Sequence, residues 1–392
     1  MQKINRRQFI QTSALGLSAS VSLCGGIYSA RTESERSATV NTTSQRLLVS
    51  GYRDHATQSI FGVLISDTEG NLISDITVDD RVHMADLFPH HASPAVLVNS
   101  REPDAPLKKY STSGELLAHL MPPENMHYEG HSVFSADGRF IYSTASHYVE
   151  KTGYVLEIHA ADLTLKRIIA TDGIGPHELI IDGDQLYIAN TGVLTHPNSG
   201  RDPLNISTMK SELVQIDIPT GAIKQRWKSP IQALSARHLT QMPDGSVLVG
   251  CQYQKQDDRP ATVALARDGE SQLQLLQPEN EHYYWDMKGY TASLRAFPKS
   301  SAYAGAALIS NPRGHLLSHW QPQQAIKPGV QTLEFSKGIV LGDSEGWISA
   351  GAGELWHWQA TNQELTKITA AIKSNFWWEN HLHSRVLRLS NT

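Results

Sequence analysis

Four stretches of the chain repeat one arrangement of apolar and polar positions. They are VHMADLFPHHASPAVLVNS from Val82, GHSVFSADGRFIYST from Gly130, PHELIIDGDQLYIAN from Pro176 and RHLTQMPDGSVLVG from Arg237. Each has a histidine at its second position and then an apolar-rich run. Three of the four continue with Asp-Gly or Gly-Asp, and all four end in a second β-rich run. A tight hairpin needs residues that tolerate positive φ, so Asp-Gly between two such runs predicts antiparallel strands joined there. More strands follow, as RFIYSTAS, GYVLEIHA and LKRIIATD do after His131. The unit is therefore a four-stranded antiparallel sheet.

The histidines at 83, 131, 177 and 238 are 48, 46 and 61 residues apart. Two further units lack the histidine: YTASLRAFPKSSAYAGAALIS from Tyr290 and VQTLEFSKGIVLGD from Val330. A half-unit, NHLHSRVLRL from Asn380, ends the chain. Strand-only repeats of this period predict a β-propeller in which the first strand of each blade is innermost. Innermost strands at 83, 131, 177, 238, 290, 330 and 381 make seven blades. The N-terminal runs QRLLVSGYR, SIFGVLISD and NLISDITV lack a first strand, and the C-terminal HLHSRVLRL supplies it. That pairing closes the ring and leaves no open sheet edge. The prediction is an all-β, seven-bladed propeller over 46–392.

Innermost strands line the central channel, so residues at their starts meet at one mouth. His83, His131, His177, His238 and His381 are thus predicted to converge, with Tyr290 and the Val330–Gln331 region in the other two places. Imidazoles on a rigid scaffold suit a transition metal, here iron or copper. Glu129 and Glu178 would ligate the metal or hold the rings. Turns between the second and third strands of each blade open on the same face. With the strand starts they supply a predicted rim of Arg53, Asn190, His196, Arg201, Arg237, Tyr253, Arg313 and His315. Four arginines among these turns, Arg53, Arg101, Arg201 and Arg313, suit an anionic small ligand. Two other functions fit the same face. One is a lactonase- or hydrolase-like enzyme using His177 with Glu178, or His131 with Glu129, around an activated water. The other is a docking platform for a periplasmic protein.

The N-terminus changes the setting. NRRQFIQTSALGLSASVSLCGG pairs Arg6 and Arg7 ahead of a short, weakly apolar run, the form of a twin-arginine export signal. Residues 1–30 are assigned to it, with cleavage after YSA, and 31–45 to a polar, disordered lead-in. The run is too short and polar to span a membrane, so the mature protein is expected in the periplasm without an integral span. Losing Lys3, Arg6 and Arg7 from the 34 basic residues leaves 31 against 39 acidic ones, a net charge of −8. That balance argues against a nucleic-acid partner. Only Cys251 then remains, so no internal disulfide forms. No phosphate-binding glycine loop, Gly-x-Ser-x-Gly elbow or Cys-x-x-Cys-His haem motif occurs, so neither nucleotide nor covalent haem is expected.

The blocks GPHELIIDGDQLYIANTGVLTHPNSGRDPLNISTM, ARHLTQMPDGSVLVGCQYQ, EGHSVFSADGRFIYST and WENHL resemble the bacterial domain-of-unknown-function family 1513. The resemblance runs from about Arg46 to the C-terminus. It implies an exported propeller whose ring histidines and THPNSGR loop are the characteristic positions. It also implies, by association, a role in periplasmic iron handling alongside iron-uptake proteins. RVHMADLFPHH departs somewhat from the family pattern, and NPRGH has His315 where another glycine is expected.

Overall fold

The computed structural model describes residues 42–89, 94–257, 259–278, 280, 282–322, 329–368 and 375–390. The export signal expected at 1–30, and residues 31–41 of the expected lead-in, lie outside them. The strand that follows begins at Thr42 and so takes in the last four residues of that lead-in.

Seven four-stranded antiparallel sheets form the ring. Blade 1 joins both ends of the chain. Its innermost strand, Phe376–Ser390, pairs along Thr42–Asp54, which pairs in turn with Phe61–Asp67 and Leu72–Val78. The other innermost strands are Val82–Leu87, Met126–Phe134, Pro176–Asp182, Leu234–Gln241, Ser293–Ala296 and Ile339–Leu341, in blades 2 to 7. The Asp-Gly and Gly-Asp pairs are the hairpin turns they were expected to be. Gly138, Gly183 and Gly245 have φ of 69°, 54° and 88°, in the left-handed region that glycine enters without steric cost.

One blade starts later than the sequence pattern suggested. Gly329–Thr332, which contains Val330 and Gln331, is the outermost strand of blade 6. The innermost strand of blade 7 is the three-residue Ile339–Leu341. The alternation in VQTLEF is that of any half-buried strand, and only pairing distinguishes an outer strand from an inner one.

Among the described residues the buried apolar side chains fall into seven clusters, one at each blade–blade interface. Tyr142, Val155 and Ile169 of blade 3 pack on Leu179, Ile188 and Val214 of blade 4, for example. Leu48, Tyr52 and Leu64 of blade 1 pack on Val340, Trp347 and Leu355 of blade 7. The core is thus a ring of seams, and the channel inside it is left to polar residues. Trp358 and Trp378 are buried in these seams. Trp377 instead stacks on His55 at 5.3 Å. Among the described residues no helix is long and apolar enough to cross a membrane.

Candidate functional site

A β-bulge aims each predicted ligand. In blade 2, Val82 pairs with Ser100 but Met84 with Asn99, so His83 is the extra residue. In blade 4, His177 and Glu178 together oppose one residue between Pro176–Asn190 and Leu179–Ile188. In blade 5, the register shifts at Arg237, next to His238. Blades 1 and 3 have wider bulges. Glu379, Asn380 and His381 all face Gly51, and Glu129, Gly130 and His131 all face Thr144. A bulge bends its strand and turns a side chain out of the regular alternation. Here each one turns an imidazole toward the channel axis.

The bulges break ladder hydrogen bonds, and hydroxyls replace them. Ser50 Oγ donates to the His381 carbonyl at 2.6 Å. Thr144 Oγ1 donates to the His177 carbonyl at 2.9 Å, and Ser143 Oγ to that of His131 at 3.2 Å. Without these donors, buried carbonyls would stand unpaired. Gly130 has φ +89°, and a Cβ there would lie 2.4 Å from both Arg101 Cγ and His83 Cδ2. Only glycine fits.

The five imidazoles converge. Ring centroids of His131 lie 4.8 Å from His83, 4.5 Å from His177, 5.9 Å from His238 and 4.4 Å from His381. His83 Nε2 is 3.1 Å from His131 Nε2. Two triads share His131: His83–His131–His177 and His131–His238–His381. Each offers three ligand nitrogens within 4.8 Å of one another. Ligands bound 2.0–2.1 Å from one ion sit at most ~4 Å apart, so a small closure of the rings would seat a metal. His131, His177, His238 and His381 are buried, and His83 is half-buried.

Burial, then mutual repulsion and nearby arginines, hold His83, His131, His177 and His381 well below the usual imidazole range. Burial also lowers His238, against the opposing pull of Glu178. The rings are therefore neutral, the form that ligates. Glu178 fixes one tautomer. Burial pushes its carboxyl up, but Arg295 and His238 outweigh that and hold it at about 2. An ionised carboxylate only accepts, so the proton lies on His238 Nδ1, which donates to Glu178 Oε2 at 3.0 Å. Nε2 of His238 then presents its lone pair. It has no partner, and neither has the buried Nε2 of His381. Carboxylate-oriented imidazoles of this kind are common around bound metals.

Glu129 is braced in the same way. Arg101 donates to its Oε2 and Ser146 to its Oε1, both at 2.7 Å. Burial pushes the carboxyl up, but Arg101, His127 and Ser146 bring it to about 2. A general base works best with a pKa near the working pH, and both glutamates are held well below it by their cation partners. Burial drives Cys251 up to about 12, which makes it a poor ligand.

Of the predicted rim, Arg201 lies close enough to His83, Arg237 to His177, Arg313 to Tyr290 and Arg53 to Lys337 to act on their charge, which places all four at the mouth. Arg201, in the long loop of blade 4, reaches blade 2 and donates to Glu102 at 2.6 Å. Arg313 lies over the Tyr290 ring at 4.8 Å. Tyr290 itself lies within 3.4 Å of Asn380 through its hydroxyl, which places it at the mouth as expected. The other four make local contacts. Asn190 donates to the Thr171 carbonyl and packs against Gly173. His196 caps a short 3-10 turn through Nδ1. Tyr253 packs in the blade 4–5 seam and turns its hydroxyl to Asp257. His315 occupies a left-handed turn against Phe335.

Sequence reasoning missed three groups. Arg81 binds Glu379 with two hydrogen bonds, of 2.7 and 2.9 Å. Arg295 approaches Glu178 at 3.5 Å. Buried Lys337, at the head of blade 7's innermost strand, donates to the Trp378 carbonyl. Glu379 had a signal: Glu-Asn-His at 379–381 repeats the spacing of Glu-Gly-His at 129–131.

Fold and site together define a seven-bladed β-propeller with a buried histidine cluster in its channel. The chain belongs to the family described as protein of unknown function (DUF1513), whose model matches residues 76–385. No curated protein matches it. Among solved structures, a protein from Lactobacillus plantarum is similar with a TM-score of 0.56 and 14% identity, over 88% of this chain and all of that one. Kuenenia stuttgartiensis hydrazine synthase is similar with a TM-score of 0.53 and 13% identity, over 82% of this chain and 95% of that one. At these identities the likeness is one of fold alone.

Proposed function

We propose that this protein is a periplasmic metal-binding propeller in which the channel histidines hold iron or copper. The observation that carries the reading is the pair of buried, unpartnered imidazole nitrogens on His238 and His381, aimed with His131 at one point. A buried polar atom left without a partner is costly, and a metal ion would satisfy both at once. All-imidazole donor sets suit copper and iron, among other first-row metals. The paired arginines at the N-terminus support a periplasmic location, and the family resemblance favours a part in iron handling.

The test is elemental analysis of protein exported to the periplasm, beside a variant with both His131→Ala and His381→Ala. Stoichiometric iron or copper in the natural protein, lost in a variant that still melts cooperatively, is the expected result. Natural protein that is exported without metal, and takes up neither Cu(II) nor Fe(II) at pH 7.5 by calorimetry, would overturn the reading.

A further inference from the structure

The charge around the mouth does not fit a bare cation as cargo. Arg81, Arg101 and Arg201 are each neutralised by a glutamate: Glu379, Glu129 and Glu102. Four more cations, Arg53, Arg237, Arg313 and Lys337, have no carboxylate partner among the described residues. The ring below is neutral and the Glu178–Arg295 pair balances itself. The mouth therefore holds four cations that no carboxylate neutralises, on a chain whose net charge is −5.

Arg237 is the sharpest case. It sits in the bulge beside His238, and its Nε is buried with no hydrogen-bond partner. Arg101 Nε is orphaned in the same way. Lys337 donates only to a neutral acceptor, the Trp378 carbonyl. A field of this sign repels an approaching divalent cation and draws in an anion. Guanidinium forks match the oxygens of carboxylates and phosphates, and such hydrogen bonds are the strong, charge-assisted kind.

We infer that the mouth above the histidine cluster binds a small multivalent oxyanion, a polycarboxylate or a phosphate, at Arg237 and Arg313, with Lys337 adding to the positive field. This rests on the proposed metal site in one respect only: when metal is present, the anion arrives with it or completes its shell. The cargo is then an anionic metal complex, and the unpaired cations are its counter-charge.

Calorimetric titration of the exported protein with citrate and, separately, inorganic phosphate tests this, in metal-loaded and metal-stripped forms. The variants are Arg237→Gln with Arg313→Gln, and Lys337→Met alone as a milder change. Saturable binding of either anion is expected, weakened at least about tenfold in the double variant, the effect of losing charge-assisted hydrogen bonds. Which anion binds identifies the source. Binding of neither anion, or binding that the variants leave unchanged, would overturn the inference. Arginine-dependent binding by protein that never holds metal would support the anion site and sink the metal reading, so the two fail separately.

Discussion

Blades 1 to 5 and blades 6 and 7 differ in a backbone detail that follows the chemistry. The innermost strand of each of the first five carries a bulge, and each bulge holds a channel histidine or lies next to one. The innermost strands of blades 6 and 7 pair without a register shift, and neither has a histidine. Both groups share the seams, the strand order and the hydroxyls beside the channel. Ser310 of blade 6 donates to the Lys337 carbonyl much as Ser50 does to that of His381. The bulge is therefore no requirement of closing the ring. It marks the blades whose innermost strands bring a histidine to the channel.

The largest effect should come from straightening one bulge. Gly130→Val would force a branched residue into a φ of +89° and drive its Cβ into Arg101 and His83. A loss of roughly 2–5 kcal/mol is expected from strain and overpacking together, with metal lost as well. Gly269 is the control. It has a similar φ of +79° but open space around its Cβ position, so Gly269→Val should cost about 1–2 kcal/mol. Equal losses in chemical denaturation would mean that the bulge glycine matters for its φ alone.

The same contrast explains what was legible in the sequence. Blade count, ring closure and the convergence of five histidines follow from a repeat that preserves type and spacing. The bulges were not legible, because an extra residue in a strand shows only against its partner's register. Blade 7 was misplaced for a related reason. Its innermost strand is just Ile339–Leu341, preceded by Ser-Lys-Gly, while the outer strand of blade 6 shows the longer alternation. Lys337 was hidden by that shift. The local hydrogen bonds and packing of Asn190, His196, Tyr253 and His315 were not legible either, because loop membership does not fix where a side chain points.

Lys337 gives a smaller effect, specific to a blade without histidine. Its folded pKa, lowered by burial to about 8, lies below the ordinary 10.5. The unfolded chain therefore binds this proton more tightly, and stability should rise as pH increases from about 8 to 10.5. The full gain is roughly 3 kcal/mol, from 1.36 kcal/mol per pKa unit. Lys337→Met should be more stable than the natural protein at pH 7, with the difference shrinking toward pH 10.5. A constant difference across that range in urea denaturation would show that Lys337 is not held charged against burial.

The smallest effect separates the hydroxyls that both groups of blades share. Ser50 Oγ donates to the His381 carbonyl inside a bulge, whereas Ser349 Oγ accepts from the Gly338 amide in the regular ladder of blade 7. Ser50→Ala and Ser349→Ala each leave one buried backbone group unpaired, so each should cost about 1–2 kcal/mol. They should differ in the site. His381 hangs on the carbonyl that Ser50 holds, so Ser50→Ala lets that ring drift and should weaken metal binding several-fold, as losing a group behind a ligand does. Ser349→Ala touches no bulge and should leave metal affinity unchanged. Competition titration against a chromophoric chelator reads the two affinities directly. If both variants lose affinity equally, the histidines depend on the general rigidity of the ring, and the bulges have no separate part in holding them.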